Sequence, residues 1–272
     1  GQNNEQDKAY SILGPHDYLM VRMGWDVDLD MREVLTRYCR LAFGNGAPHM
    51  EAYYLDLIET QESAGIESGA HYAADIILDR DFLKRSKARI RKAANAAKTD
   101  VHRRNVDYFS QPVGMLEHFL DYREAAKRFD FAAAKKGLDA MFAHFETYLD
   151  KNSMLVSRYG RRYLDRLQKP FVEQGLTYSS GDYRIVYRLP DELPTILDPH
   201  AKGQFMGFYH HARSDEGLLT TRTYSTTWAA QGLGPYRPGA IWYRIRFDLP
   251  ANVEDEGVGL FIGAAEDEVH VW

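Results

Sequence analysis

Residues 226–250 read TTWAAQGLGPYRPGAIWYRIRFDLP. The stretch holds a tryptophan, a turn segment rich in Gly and Pro, and then the alternating run Ile241-Trp242-Tyr243-Arg244-Ile245-Arg246-Phe247, closed by Leu249-Pro250. Successive side chains of a strand point to opposite faces. Ile241, Tyr243, Ile245 and Phe247 therefore share one face, and Trp242, Arg244 and Arg246 the other. A tryptophan on an otherwise charged face is either a lid over a second layer or a platform for a ligand. Upstream the periodicity is helical, so this run marks a change of architecture.

Around it lie other short segments of strand character: 182–190, 218–223, 258–262 and 269–272. Turn signals separate them and no helical pattern intervenes, which predicts an antiparallel β-sandwich over residues 179–272. The stretch 190–217, with Pro190, Pro194 and Pro199, reads as irregular connection.

The N-terminal part reads differently. Met31, Val34, Leu35, Tyr38, Leu41 and Ala42 recur at helical spacing. The preceding Asp26, Asp28 and Asp30 can cap that helix, and Gly44-Asn45-Gly46 ends it. Pro48 opens a helix with Met50, Tyr53, Tyr54, Leu57 and Ile58 on one face. A long helix is expected over 81–98 with Leu83, Ile90, Ala94 and Ala97 inward. The next is expected from a cap at Asp100 to about Phe129, kinked at Pro112. Two more follow over 131–149 and 156–172. Residues 25–178 are thus expected to form an antiparallel helical bundle, and 1–24 the tail of a preceding domain. The fold class is multidomain α + β: a helical bundle followed by a β-sandwich.

Composition excludes little. Across 272 residues, 44% are hydrophobic and 27% charged, as in ordinary globular chains. Tyrosine is abundant at 18 residues, which suits polar ligands with apolar faces but equally suits core edges. Residues 179–272 carry 8 basic and 13 acidic residues, a balance of −5 that accounts for the whole net charge of −5. The basic cluster Lys84, Arg85, Lys87, Arg89, Arg91 and Lys92 lies in a region of balanced charge, so it reads as a solvated helix face, not a nucleic-acid patch. No apolar run reaches the ~20 residues that span a bilayer. The single cysteine, Cys39, excludes an internal disulfide and a cysteine-based zinc site. There is no phosphate loop, HExxH, GxSxG or calcium loop, and the ten histidines are scattered. No cofactor and no metal site is expected.

The ordered set Trp228, Gln231-Gly232, Tyr236, Gly239, Trp242-Tyr243-Arg244, Phe247, Leu249-Pro250, Val258 to Gly263 and Glu266 to Trp272 resembles the galactose-binding-like jelly roll of many glycoside hydrolases, such as the N-terminal domain of β-galactosidases and β-glucuronidases. There the pattern continues into an Asn-Gly turn after the last tryptophan. The chain stops one residue short of it, so the resemblance implies a jelly roll truncated at its C-terminus. Gly14-Pro15, Tyr18-Leu19, Arg22-Met23, Trp25-Asp26, Tyr38-Cys39, Phe43-Gly44 and Tyr53-Tyr54 resemble the start of the helical domain in an uncharacterised bacterial family of glycoside-hydrolase-like proteins related to α-glucuronidases. In that family a TIM barrel precedes the helices. The resemblance implies that residues 1–24 are the end of a barrel and that the chain is a non-catalytic portion of a carbohydrate-active enzyme, exported in a bacterium.

Sugar recognition pairs an aromatic face with polar groups that bond hydroxyls. Trp228, Tyr236, Trp242 and Trp272 are the candidate aromatics, and Gln231, Glu266, Asp267 and Glu268 the candidate polar partners. The competing reading makes the tryptophans inter-sheet core and the acids a solvated turn. Glycoside hydrolysis needs two carboxylates ~5 to ~9.5 Å apart. Glu266, Asp267 and Glu268 are consecutive and alternate in direction, so no catalytic pair is assigned. The alternatives are a non-catalytic carbohydrate-binding scaffold and a helical protein–protein interaction module.

Overall fold

The computed structural model describes residues 10–66, 73–151, 159–180, 185–223, 226, 228–233, 239–248, 253, 257–262 and 269–271. Helices run over Tyr10–Trp25 (α1), Met31–Phe43 (α2), Ala47–Ala64 (α3), Ala74–Ile77 (α4), Arg80–Ala96 (α5), Asp100–Phe109 (α6), Gln111–Lys127 (α7), Phe131–Lys151 (α8) and Tyr159–Ser179 (α9). Strands follow over Glu192–Asp198 (β1), Leu219–Arg222 (β2) and Ala240–Tyr243 (β3). The chain divides into two compact units. One comprises the residues up to 64 with 77–170; the other comprises 65–76 with 171–272.

In the helical unit, short polar side chains just before the helices set their starts. Asp30 accepts the Glu33 amide at 2.9 Å, Asp79 that of Phe82 at 2.8 Å and Asp130 that of Ala133 at 3.0 Å. The cap of α6 is Thr99, which accepts the His102 amide at 3.2 Å, and not Asp100. Asp100 sits in the first turn and pairs with Arg103 at 2.6 Å. Residues 100–129 form two helices, not one with a kink. Pro112 occupies the first turn of α7, where its missing N–H costs nothing, and α6 ends at Ser110.

The core of this unit is aromatic. Tyr38, Phe43 and Phe109 meet edge to face, with centroids 5.4–6.3 Å apart. Leu35, Cys39, Met50, Phe82, Val106 and Leu120 close around them. The expected stripes hold, with local exceptions. Ala93 faces inward in place of Ala94, and Met31 and Leu41 are exposed. The α7–α8 hairpin packs closely because Gly137 lets the backbone of Tyr122 approach; a Cβ there would lie 2.6 Å from the Tyr122 amide nitrogen.

The second unit contains a three-stranded antiparallel sheet in the order β2-β1-β3. β1 pairs with β2 over 192–195 and with β3 over 195–198. The residues expected to be irregular therefore supply the central strand. Pro194 is tolerated because the β3 ladder begins only at Thr195; its carbonyl still accepts the Arg244 amide at 2.9 Å. Residues 185–190, 258–262 and 269–271, expected as strands, have no ladder partner among the described residues and form no regular strand. β3 stops at Tyr243, short of the expected Phe247. The fold is mixed α and β: mainly helical, with a small antiparallel sheet.

Candidate functional site

The sheet has two chemically distinct faces. Register places Leu193, Thr195, Thr221, Ile241 and Tyr243 on one and Glu192, Pro194, Ile196, Asp198, Arg222 and Trp242 on the other. The first face is closed by a hydroxyl pair, Thr195 to Thr221 at 2.7 Å, both buried.

Asp198, at the end of β1, organises the loop that follows. Its carboxylate accepts the Lys202 amide at 2.9 Å, the Gly203 amide at 2.5 Å and the Trp242 indole N–H at 3.1 Å. Burial opposes ionisation, but the backbone amides and then the indole outweigh it and hold the carboxyl below its ordinary value. Trp242 stands edge-on to Phe208 at 5.9 Å. It covers Gly203, where a Cβ would fall 2.3 Å from the indole nitrogen. Arg244, two residues on, donates to the carbonyls of Phe208 at 3.1 Å and His210 at 3.3 Å, and to the Asp215 carboxylate at 2.8 Å. The charged face of the 241–247 run is thus a clamp on residues 198–215, and Trp242 is its lid.

The other expected contacts are placed as follows. Trp228 donates its indole N–H to the Tyr243 hydroxyl at 2.8 Å and keeps 41% of its surface exposed. Burial raises the Tyr243 hydroxyl above its usual range, against the opposing hydrogen bonds of Trp228 and Thr221. Gln231 pairs with the backbone of β2: it accepts the Arg222 amide at 2.7 Å and donates to the Arg222 carbonyl at 2.9 Å. Tyr236, Glu266, Asp267, Glu268 and Trp272 lie outside the described residues. Trp228 and Gln231 share one turn, where the Gln231 amide donates to the Trp228 carbonyl at 3.0 Å. Trp242 is committed to the Asp198 loop.

Beside that turn is an open cleft of about 510 Å³, lined by Glu192, Thr220, Arg222, Thr226, Ala230 and Gln231. Glu192 and Arg222, cross-strand neighbours in its lining, pair at 3.0 Å. Its polar groups can exchange hydrogen bonds with hydroxyls, and none is placed as a general acid–base pair.

No protein-family model, curated protein or solved structure matches this chain.

In the helical unit, Arg85 and Arg89 of the basic cluster bind Asp56 of α3, and Lys87 binds Glu117 of α7 at 2.5 Å. These contacts tie helices together. Cys39 is buried, and burial together with the Glu51 charge pushes its thiol up to about 12, which makes it inert. Among the described residues no three His, Cys, Asp or Glu side chains are grouped to hold a metal, and no helix is long and apolar enough to cross a membrane.

Asp198 is the structural hub that pattern reading passes over. Its partners are two backbone amides and the distant Trp242 indole, which leave no local side-chain motif. The one local signal is Asp198-Pro199, a dipeptide that favours turn initiation.

Proposed function

We propose that the chain is a non-catalytic portion of a carbohydrate-active enzyme, a glycoside hydrolase acting on polysaccharide or oligosaccharide, and that its sheet unit belongs to a galactose-binding-like jelly roll. The observation that carries the reading is the exposed indole of Trp228. It is fixed at its N–H by Tyr243 and sits in the same turn as the cleft residue Gln231. A ring anchored at its edge and open on its surface can stack on the C–H face of a sugar at little entropic cost, and Gln231 in the same turn keeps hydrogen-bonding capacity for hydroxyls.

The test is titration of the whole chain with oligosaccharides found on a glycan array. Trp228→Ala should weaken binding about tenfold or more, in line with loss of one buried aromatic contact. Trp242→Phe should leave affinity unchanged. Absence of sugar binding, or equal affinity for Trp228→Ala, overturns the reading. The chain alone should release no chromophore from aryl-glycosides; turnover would refute its non-catalytic role.

A further inference from the structure

The loop 199–213, PHAKGQFMGFYHHAR, combines three features that no sugar contact requires. First, its tip is apolar and bare: Phe205 is 93% exposed and Met206 56%. Second, the tip is rigid. Residues 203–206 form one helical turn closed at both ends. At the start Asp198 accepts the Lys202 and Gly203 amides. At the finish the Phe208 amide donates to the Gly203 carbonyl at 2.8 Å and the Gly207 amide to Gln204 at 3.2 Å, with Gly207 at φ +67°. This is the left-handed glycine cap of a helix end, and it holds the two apolar side chains out with little freedom to fold back. Third, the loop carries Lys202, Arg213 and three histidines and no acid, inside a segment of 13 acids and 8 bases. Of the flanking acids, Asp198 is engaged by its own loop and Asp215 by Arg244 at 2.8 Å and Arg246 at 3.4 Å, while the exposed Glu216 lies beyond the loop.

An apolar wedge on a loop that carries two cations and no acid is complementary to a lipid surface with negative headgroups. There the side chains leave water for the acyl boundary, and Lys and Arg meet phosphate and carboxylate. We propose that the 199–213 loop is an interfacial anchor: Phe205 and Met206 insert into an anionic bilayer surface while Lys202 and Arg213 face its headgroups. An anionic polysaccharide would also satisfy the cations, but it offers no apolar interior for Met206. The proposal does not depend on the carbohydrate reading.

The experiment is co-sedimentation of the whole chain with phosphatidylcholine vesicles containing about one-third phosphatidylserine, compared with phosphatidylcholine alone. Binding to the anionic vesicles is expected, with loss at high salt. The double variant Phe205→Ser/Met206→Ser should bind about tenfold or more weakly, as expected for withdrawing two apolar side chains from the boundary. Lys202→Glu should weaken it further. Phe205→Trp supplies an independent reading: its emission should shift to the blue on anionic vesicles. These side chains are exposed, so the variants should keep the wild-type circular dichroism. Three results each overturn the anchor: no binding by the wild type, binding unchanged in the double variant, or binding to soluble polygalacturonate with none to vesicles.

Discussion

The helical unit and the sheet unit are stabilised by different physics. In the first, the buried side chains are mainly apolar and aromatic, with Phe43, Met50 and Tyr122 fully enclosed, and Ser86, Gln111 and Asp56 are the polar exceptions. In the second, Thr195, Asp198 and Thr221 are as buried as Leu193 and Phe208. Apolar area is non-directional and scales with the surface removed from water. Hydrogen bonds to backbone contribute less each, yet leave costly orphans when broken. A packed core therefore spreads its stability over many residues, whereas the sheet unit concentrates it in a few polar anchors.

The largest effect should come from Phe43→Ala. The ring is 0% exposed and meets Tyr38 and Phe109 edge to face. Its removal should cost about 3–5 kcal/mol in denaturant unfolding of the helical unit. A loss below about 1 kcal/mol would show that the aromatic cluster is not what holds this unit together.

That contrast also governs what could be read from sequence. The helices of 31–151 were legible because apolar residues recur with a 3.6 period and because Asp30 and Gly44 are strong end signals. Errors fell where two signals compete over one or two residues: Thr99 against Asp100 for a cap, Ala93 against Ala94 for a face. The central strand β1 was hidden by Pro194, which argues against a strand unless its partners are known. Each neighbour of β1 covers only half of it, and that offset lies in tertiary pairing, not in local pattern. Conversely, the alternation of 258–262 predicts a strand that finds no partner among the described residues. At the candidate site, the two faces of 241–247 were legible from period-2 alternation. The role of Trp242 as a lid was not, since it depends on a loop whose own anchor, Asp198, uses backbone donors.

The next effect separates area from anchors within the sheet unit. Arg244→Ala removes donors from the Phe208 and His210 carbonyls and from Asp215. It should lower protection against hydrogen exchange across 208–215 by about 2–3 kcal/mol. Ile241→Ala, on the opposite face of the same strand and only half-buried, should cost less. If the order is reversed, the sheet unit is held by area as the helical unit is.

Asp198 sharpens the same point through pH. Its carboxyl is held below its ordinary value in the folded chain, so the unfolded chain binds the proton first on acidification. The stability it contributes is complete above about pH 4 and is lost as pH falls through its folded value. Hydrogen exchange at the amides of 202–208 should therefore quicken on acidification below that point, beyond the intrinsic rate. Asp198→Asn, which cannot ionise, should show weaker protection at neutral pH and no such change. A wild-type pH response retained in Asp198→Asn would place the titrating group elsewhere.

The smallest effect is the most direct comparison, because it sets one capping side chain against another. Thr99 and Asp198 both accept amides at the start of a turn, but Thr99 is a neutral hydroxyl accepting one donor at 3.2 Å. Asp198 is an anion with three donors, two of them backbone amides that no other group in the loop replaces. Thr99→Ala should cost about 1 kcal/mol, since water reaches the exposed helix end and replaces the lost bond. Asp198→Ala should cost more, about 1–3 kcal/mol, because it leaves buried donors unpaired, the Trp242 indole among them. Equal costs, measured by denaturant unfolding of the whole chain, would mean that water enters the 198–203 turn and that burial of Asp198 adds nothing to its worth as a cap.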